Sequence, residues 1–510
     1  MKGTTYMKFF IEHWSRPQIG IPFGKILLLW LVLVVGDMGL SLPALAWEIK
    51  THKELTDQAI NIKAGILDTY LKENLGLESG LQEVVGKKTV RQWMIEGSDF
   101  EDNSPRFLNH FHDALNNRGL EAALSGMSAV DWSLAAVGEQ SFGHYSWNDA
   151  REYYFKALTS ETKTERDENW GKTFRALGQV MHLLQDSANP SHVRNDDHPD
   201  LSAYIGSPGR IDVDGLHDYM ARQSVSSYPG ATFFTPDSSL LETEGAIRSE
   251  PFSNLFDTNT YNGGNPGATL GTDVGIAEFT NANFFSDDTI PGQNAETFFP
   301  FPNVFELVPG PANLPYLTLP RLGSSTFPAA RAAKLTGNQA AAKFLLTNTN
   351  FDLIGKLELD DAVYDAQAQN LIPRAIDYSA AVPNYFFRGE PTIAKQEFDV
   401  AEDVDESLIE PGSLNVEVEI PLSLGLQGTV SLYYERPDRQ RVLADQQEWD
   451  GTNPVYLGGD IFFKSEGLFI GGKVRWYVVL DGEMGPGTSE PRAVVGKTGE
   501  ATWITISHPI

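Results

Sequence analysis

Two kinds of hydrophobic periodicity divide the chain. From Trp47 to about Gly389 the apolar residues recur mainly at helical spacing, whereas from Val416 onwards they alternate with polar residues. The first pattern is typical of amphipathic helices and the second of strands with one solvated face. We therefore predict a mainly α protein in which a multi-helical domain is followed by a small C-terminal β-sandwich.

The helical region contains several predicted helices. Thr51, followed three residues later by Glu54, has the form of a capping box, which would place His52 in the first turn of a helix. Asn189-Pro190 is expected to stop a later helix. Further helices are predicted over residues 146–158, 170–184 and 357–385.

Two segments lack a clear helical or strand pattern. Residues 226–325 are rich in Gly, Pro, Asn, Ser and Phe, and we expect a long, partly ordered insertion with short helices. Residues 391–412 are acidic and are predicted to form a linker. The domains are thus expected at 47–390 (helical) and 413–510 (β-sandwich), with strands predicted over residues 416–420, 429–434, 455–463, 474–480 and 502–506.

Residues 1–46 show the order of features found in an export signal. Basic residues come first, then the apolar run from Ile26 to Val35, then small residues up to Ala46. The run is shorter than the roughly 20 residues that a membrane helix needs, which favours a cleaved signal over a retained anchor. Cleavage after Ala46 would make Trp47 the new amino terminus. We expect a protein that is secreted, periplasmic or at the cell surface.

Charge and composition restrict the chemistry. The 510 residues carry a formal net charge of −29 and include no cysteine. Such an acidic protein repels polyanions, which disfavours non-specific binding to duplex nucleic acid. Disulfides and thiolate ligands are excluded, so a zinc site would have to use His, Asp, Glu and main-chain atoms.

The segment His182-Leu-Leu-Gln-Asp186-Ser-Ala-Asn-Pro190-Ser-His192 carries the strongest chemical signal. His182 and Asp186 are four residues apart on a predicted helix, so their Cβ atoms lie about 5–6 Å apart on one face. A His–Asp pair at this spacing is by itself more often a surface pair. Pro190 ends the helix and lets His192 turn back, and this addition favours a shared metal cluster.

This segment resembles the core of the zinc-dependent phospholipase C and S1/P1 nuclease superfamily, and in particular its bacterial phospholipase C branch. In that superfamily the Asp bridges two of three zinc ions, and the mature chain begins with a Trp whose amino group and carbonyl bind zinc. The resemblance extends over residues 47–221 and is absent from the C-terminal strands. It implies zinc ligands at Trp47, His52, His182, Asp186 and His192.

A second part of the resemblance lies between residues 96 and 113. This stretch is similar to the phospholipase branch, in which a Gly-Ser segment leads to an Asp ligand and a His-Phe-aromatic-Asp segment supplies a His ligand. By this alignment the ligands are Asp102 and His110, while Asp99 and His112 are the neighbours most easily confused with them.

The third metal site departs from the family pattern. His217 is followed four residues later by Ala221, which cannot bind a metal. Aligning Asp218 with the family carboxylate places Asp214 where a His is expected, so the preferred set is His192, Asp214 and Asp218. His198 and His217 remain alternatives. One imidazole with two carboxylates would bind zinc less selectively.

The resemblance implies three zinc ions per chain and hydrolysis of a phosphodiester by metal-activated water, with Asp102 orienting or deprotonating the water. Segment 109–113, the β-domain and the negative charge favour a phospholipase C that acts on phospholipid at a membrane surface. The spacing of His52 favours the alternative of an S1/P1-like nuclease that cleaves single-stranded nucleic acid. The bases of such a substrate could stack on aromatic side chains. A third interpretation is a surface binding protein that keeps the metal without activity. No stable protein partner is implied.

Overall fold

The computed structural model describes most of the helical region and most of the C-terminal strands. Both belong to one compact unit, Ala44–Ile510. The described residues are 49–103, 105–121, 125–196, 215–228, 251–290, 299–309, 315–322, 330–336, 357–400, 409–422, 425, 427–449, 451–464, 471–484 and 490–504.

Nine α-helices lie within these ranges. They are α1 (Ile49–Leu75), α2 (Val90–Phe100), α3 (Ala129–Ser133), α4 (Trp147–Thr159), α5 (Lys163–Asp186), α6 (Pro190–Val193), α7 (Gly215–Ala221), α8 (Ile276–Asn283) and α9 (Asp361–Phe386). None of these described helices has both the length and the apolar character that crossing a membrane requires.

Local capping explains where several helices begin. The Ser146 side chain accepts a hydrogen bond from the Asp149 N–H at the start of α4, close to the predicted start. The helix predicted from residue 170 begins earlier, because Thr162 and Glu165 form a capping box ahead of α5. The capping box predicted at Thr51 is wrong, since Thr51 lies inside α1.

The central core forms where α2 crosses α5. Gly97 and Gly178 face each other at this crossing, and a Cβ atom on Gly178 would lie only 2.1 Å from the Met94 carbonyl oxygen. The absence of side chains therefore lets the two backbones approach closely. Phe174 and Leu177 of α5 are fully buried in this core.

The described parts of the 226–325 insertion are packed rather than loose. Short 3-10 turns accompany α8, and Phe252, Phe256 and Phe279 have no exposed surface. A four-stranded antiparallel sheet that the sequence analysis did not predict follows, consisting of β3 (Val308–Pro309), β4 (Tyr316–Thr318), β5 (Arg331–Leu335) and β6 (Leu357–Glu358); the short hairpin β1 (Val84–Val85) and β2 (Lys88–Thr89) precedes α2.

Two antiparallel sheets form the C-terminal part. Their strands are β7 (Thr392–Val400), β8 (Ile409–Glu419), β9 (Gln427–Glu435), β10 (Arg441–Trp449), β11 (Val455–Lys464), β12 (Gly471–Met484) and β13 (Glu490–Ile504). The strand orders are β10-β9-β12-β13 and β11-β8-β7. Alternate residues such as Val416 on β8 and Val430 on β9 share one buried core, which is the arrangement of a β-sandwich.

The acidic linker predicted over residues 391–412 is wrong for the described parts of that range. Thr392–Val400 is a strand that pairs with β8, and β8 itself begins at Ile409, while residues 401–408 lie outside the described residues. Strand β7 was missed because it is an edge strand with exposed polar residues, such as Lys395 and Glu397, which weaken the apolar alternation. Strand β10 was also missed, since its exposed polar residues, such as Gln446 and Gln447, obscure the alternation.

Candidate metal centre

Polar side chains from five parts of the described chain meet in one buried cluster: helices α1, α5 and α6, the end of α2 and the 3-10 turn before His110. His52 comes from the first turn of α1, and Asp102 follows the end of α2. His182 and Asp186 lie in the last turns of α5. We call the following six residues the metal centre: His52, Asp102, His110, His182, Asp186 and His192.

Asp186 is at the middle of the metal centre. Its Oδ1 lies 3.3 Å from His52 Nε2. Its Oδ2 lies 2.9 Å from His110 Nδ1 and 3.1 Å from His182 Nε2. His192 Nδ1 is 3.6 Å from the same oxygen. One carboxylate is thus surrounded by four imidazoles that come from three separate segments of the chain.

Two of these imidazoles are oriented through their second ring nitrogen. His52 Nδ1 lies 2.8 Å from Gln185 Oε1, and the Gln185 amide in turn donates to Thr56 Oγ1. His182 Nδ1 lies 2.6 Å from the Ser98 carbonyl oxygen. Both acceptors require a donor, so Nδ1 of His52 and of His182 carries the ring proton. The Nε2 atom of each ring then has a free lone pair, and this lone pair faces Asp186.

Asp102 lies at the edge of the same cluster. Its Oδ1 is 3.5 Å from His182 Nε2 and 3.8 Å from His110 Nδ1. Burial, followed by the charges of Asp186, Glu101 and other neighbouring carboxylates, raises the pKa of Asp102 well above its usual range. A carboxyl in this position is costly to ionise unless positive charge is supplied nearby.

Burial also acts on the other members. It lowers the pKa of His52, and the neighbouring His182 adds to this effect, so the neutral imidazole that binds metals is favoured. Burial alone would raise the pKa of Asp186, but the four surrounding histidines hold it well below its usual range. The centre therefore combines an anionic carboxylate with imidazole nitrogens.

Several atoms of the metal centre make no hydrogen bond within the described residues although they are fully enclosed. These atoms are His52 Nε2, His110 Nε2 and both carboxylate oxygens of Asp102 and of Asp186. Such groups are costly to bury without a partner. Ligand atoms of His52, Asp102 and His182 lie within 4.8 Å of one another, as do those of His110, His182 and Asp186. These two groups fit divalent cations held by nitrogen and oxygen ligands.

The structure does not bring every predicted ligand to this place. Asp218 lies on the exposed side of α7 and belongs to neither group, so its prediction as a ligand is corrected. The helical period explains the change, since it buries the preceding residue, His217, instead. Trp47, Asp214 and His198 lie outside the described residues.

The two neighbours that could be confused with ligands have other contacts. Asp99 Oδ2 lies 2.5 Å from Lys53 Nζ. His112 Nε2 lies 2.8 Å from Asp257 Oδ2, and its Nδ1 lies 2.9 Å from Ser128 Oγ. Both ring nitrogens of His112 thus have partners, and the contact with Asp257 joins His112 to the insertion.

Sequence reasoning did not single out several residues that lie next to the ligands or to their neighbours. Gln185 could have been suspected, because it is a polar residue beside Asp186 in an otherwise apolar turn of α5. Glu101 adjoins Asp102 but looks like part of a solvated acidic loop in the sequence. Asp257 had no signal, since it lies in the insertion, 145 residues from its partner His112.

Comparison with known proteins gives little further information. No family model and no curated protein matches the chain. Among solved structures, the chain is similar to the alpha-toxin of Clostridium perfringens from avian strain SWCP, with 11% sequence identity and a TM-score of 0.31. The match covers 89% of this chain and 97% of the toxin chain. The alpha toxin of Clostridium absonum is similar with 12% identity and a TM-score of 0.28, over the same shares. Similarity at this level establishes neither a common fold nor a shared activity.

Proposed function

We propose that the protein is an exported zinc-dependent phosphodiester hydrolase of the phospholipase C type. One observation carries the proposal: six residues that the sequence motifs single out as zinc ligands lie together around Asp186, with enclosed atoms that lack hydrogen bonds. The ligand types come from three segments that are distant along the chain, which makes their assembly by chance improbable. Zinc ions held there would supply positive charge for phosphate oxygens and acidify water.

We assign different roles to the two carboxylates of the metal centre. Asp186 is completely buried and lies among four imidazoles, so its role is to hold the centre together. Asp102 lies at the edge of the centre, where its Oδ1 is 3.5 Å from His182 Nε2 and 3.8 Å from His110 Nδ1. Its two oxygens accept no hydrogen bond within the described residues, so we assign it to hold the attacking water and to accept its proton.

Phospholipid is the proposed substrate. A net charge of −29 opposes binding to long polyanions, while a lipid head group presents a single phosphodiester at a membrane surface. We place three zinc ions in the full site, the third held by His192 together with residues outside the two groups. Trp47 supplies a ligand through its free amino group once the leader is removed, and His217, which is buried beside Asp218 on α7, is the alternative to Asp218.

The first experiment measures zinc content and hydrolysis together. The protein, produced with its own leader and exported, is assayed on phosphatidylcholine vesicles and on single-stranded DNA. Asp186→Asn removes the central carboxylate, and we expect zinc content to fall and vesicle hydrolysis to drop by at least about a thousandfold. Asp218→Asn is the matched control: because Asp218 is exposed, zinc content and activity should stay within about twofold of the wild type.

Each outcome has a distinct meaning. Vesicle hydrolysis that depends on Asp186, with about three zinc ions per chain, supports the proposal. Cleavage of DNA alone would assign the protein to the nuclease alternative. Bound zinc without turnover of either substrate would favour a binding protein, and a wild-type protein without zinc would refute the metal centre. Amino-terminal sequencing of the exported protein tests whether it begins at Trp47.

A further inference from the structure

His110 differs from the other imidazoles of the metal centre in the partner available to its outer nitrogen. Its Nδ1 faces the centre, 2.9 Å from Asp186 Oδ2 and 3.3 Å from His182 Nε2. Its Nε2 faces the opposite way, is fully enclosed and makes no hydrogen bond within the described residues. The carboxylate oxygen Oε1 of Glu101 lies 3.9 Å from this nitrogen.

Glu101 is held as firmly as the ligands themselves. It has no exposed surface. The Arg106 guanidinium donates to Oε2 from Nε at 3.0 Å and from a terminal nitrogen at 2.6 Å. The indole N–H of Trp132 donates to Oε1 at 2.8 Å. The one remaining acceptor direction of Oε1 is therefore available to His110.

Arg106 is fixed in turn by neutral groups. It donates to the Gly143 carbonyl oxygen at 3.0 Å, to Gln140 Oε1 at 3.2 Å and to Gln179 Oε1 at 3.0 Å. Within the described part of the chain, Glu101 is the carboxylate that pairs with this guanidinium, so the two residues form a buried ion pair. Removing both charges from water costs free energy, and the pair lies next to His110, which suggests that it has a function there.

We propose that Glu101 is a positioning residue that accepts a hydrogen bond from His110 Nε2–H and so presents His110 Nδ1 to the metal. This inference rests on the proposed metal-dependent function. Ligating histidines commonly donate their outer N–H to a carboxylate or a carbonyl, which fixes the tautomer and increases the basicity of the ligating nitrogen. His52 and His182 use the neutral acceptors Gln185 and Ser98, so His110 alone among these three would have a charged partner.

The test measures metal affinity rather than activity. Zinc binding by the full-length protein is determined by competition with a chelator, and the cobalt-substituted protein is followed through its visible absorption bands. Glu101→Gln should weaken zinc binding by roughly 10–100-fold and change the cobalt bands. The matched control is Glu96→Gln, which removes a carboxylate from the preceding helix α2, where it pairs with Lys88, and should change neither quantity.

Trp132→Phe provides a second variant in case Glu101→Gln does not fold with Arg106 unpaired. This change removes the indole donor but keeps the Glu101 charge, so Oε1 would be left to His110 alone. We expect zinc to bind with equal or several-fold higher affinity. Unchanged zinc affinity and cobalt bands in folded Glu101→Gln, or weaker binding in Trp132→Phe, would overturn the inference. A wild-type protein that binds no zinc would instead refute the proposed function.

Discussion

Asp377 illustrates how burial alone changes the chemistry of a residue. It lies on α9 with 6% of its surface exposed, and its Oδ2 accepts no hydrogen bond within the described residues. Burial raises the pKa of Asp377 to about 7, although the charges of Lys63 and Arg374 oppose the change. This carboxyl is therefore largely neutral at mildly acidic pH.

A raised pKa has a definite effect on stability. Between pH 3.8, the ordinary value, and about pH 7, the folded protein binds the proton more tightly than the unfolded chain does. The free energy of unfolding consequently falls as the pH rises through this window. The loss has an upper limit of roughly 4 kcal/mol at 1.36 kcal/mol per pKa unit.

Asp377→Asn should remove this loss, because an amide does not ionise. We expect the free energy of unfolding of the variant, relative to the wild type, to increase by about 2 kcal/mol between pH 5 and pH 8. Urea unfolding of both proteins at the two pH values measures this difference. A difference that does not depend on pH would show that Asp377 ionises normally in the folded protein.

At the level of elements, the crossing of α2 and α5 connects helix packing to the metal centre. Gly97 and Gly178 allow the close approach, and the same approach brings the Ser98 carbonyl oxygen to His182 Nδ1. The two helices together therefore orient a ligand that neither could orient alone.

Gly178→Ala should be destabilising although alanine favours helices. The added Cβ would lie 2.1 Å from the Met94 carbonyl oxygen, so the helices must move apart. We expect the free energy of unfolding to fall by about 1–3 kcal/mol, as in overpacked cores. Zinc affinity should fall as well, because Ser98 moves away from His182. Urea unfolding and chelator competition measure the two effects.

Gly65→Ala provides the control for this prediction. Gly65 lies inside α1, and a Cβ there would meet no atom within 4 Å. The helix preference of alanine should then act alone and raise the free energy of unfolding by up to about 1 kcal/mol. If both substitutions shifted stability in the same direction, close packing at Gly178 would not be the cause.

At the scale of the whole molecule, the helical part and the β-sandwich share an interface with a buried arginine. The Arg441 guanidinium lies 3.4 Å from the centre of the Tyr477 ring and donates to the Leu158 carbonyl oxygen of α4. It also pairs with Glu435 at 3.3 Å. Burial lowers the pKa of Arg441 to about 10, which leaves it charged at neutral pH.

We expect the two parts to unfold together, in one calorimetric transition. Arg441→Leu should lower the free energy of unfolding by roughly 2–4 kcal/mol, because Leu158 loses a charged donor and Tyr477 its cation. Arg475→Ala removes a partly exposed pair with Glu78 across the same interface and should cost less than about 1 kcal/mol. Two separate transitions in the wild type would show that the parts are independent.

Much of the architecture is predictable because it depends on local patterns. Helical spacing indicates α4, α5 and α9, and alternation indicates β8, β9, β11 and β12. The four-residue spacing of His182 and Asp186 places both on one face of α5 before any tertiary contact is known. The same reasoning missed β7, where exposure is set by neighbouring elements. Asp218 was suggested by the family resemblance, which does not show that α7 turns this residue to solvent.

The sequence by itself determined many of the helical and strand regions, because residue type and short-range spacing are local properties, and the family resemblance of its motifs supplied the candidate ligands of the metal centre. Only the tertiary structure decided that Asp186 lies among four imidazoles, that Glu101 rather than solvent lies behind His110, and that Asp218 is exposed. These contacts join residues far apart along the chain, and their geometry follows from how closely helices such as α2 and α5 pack.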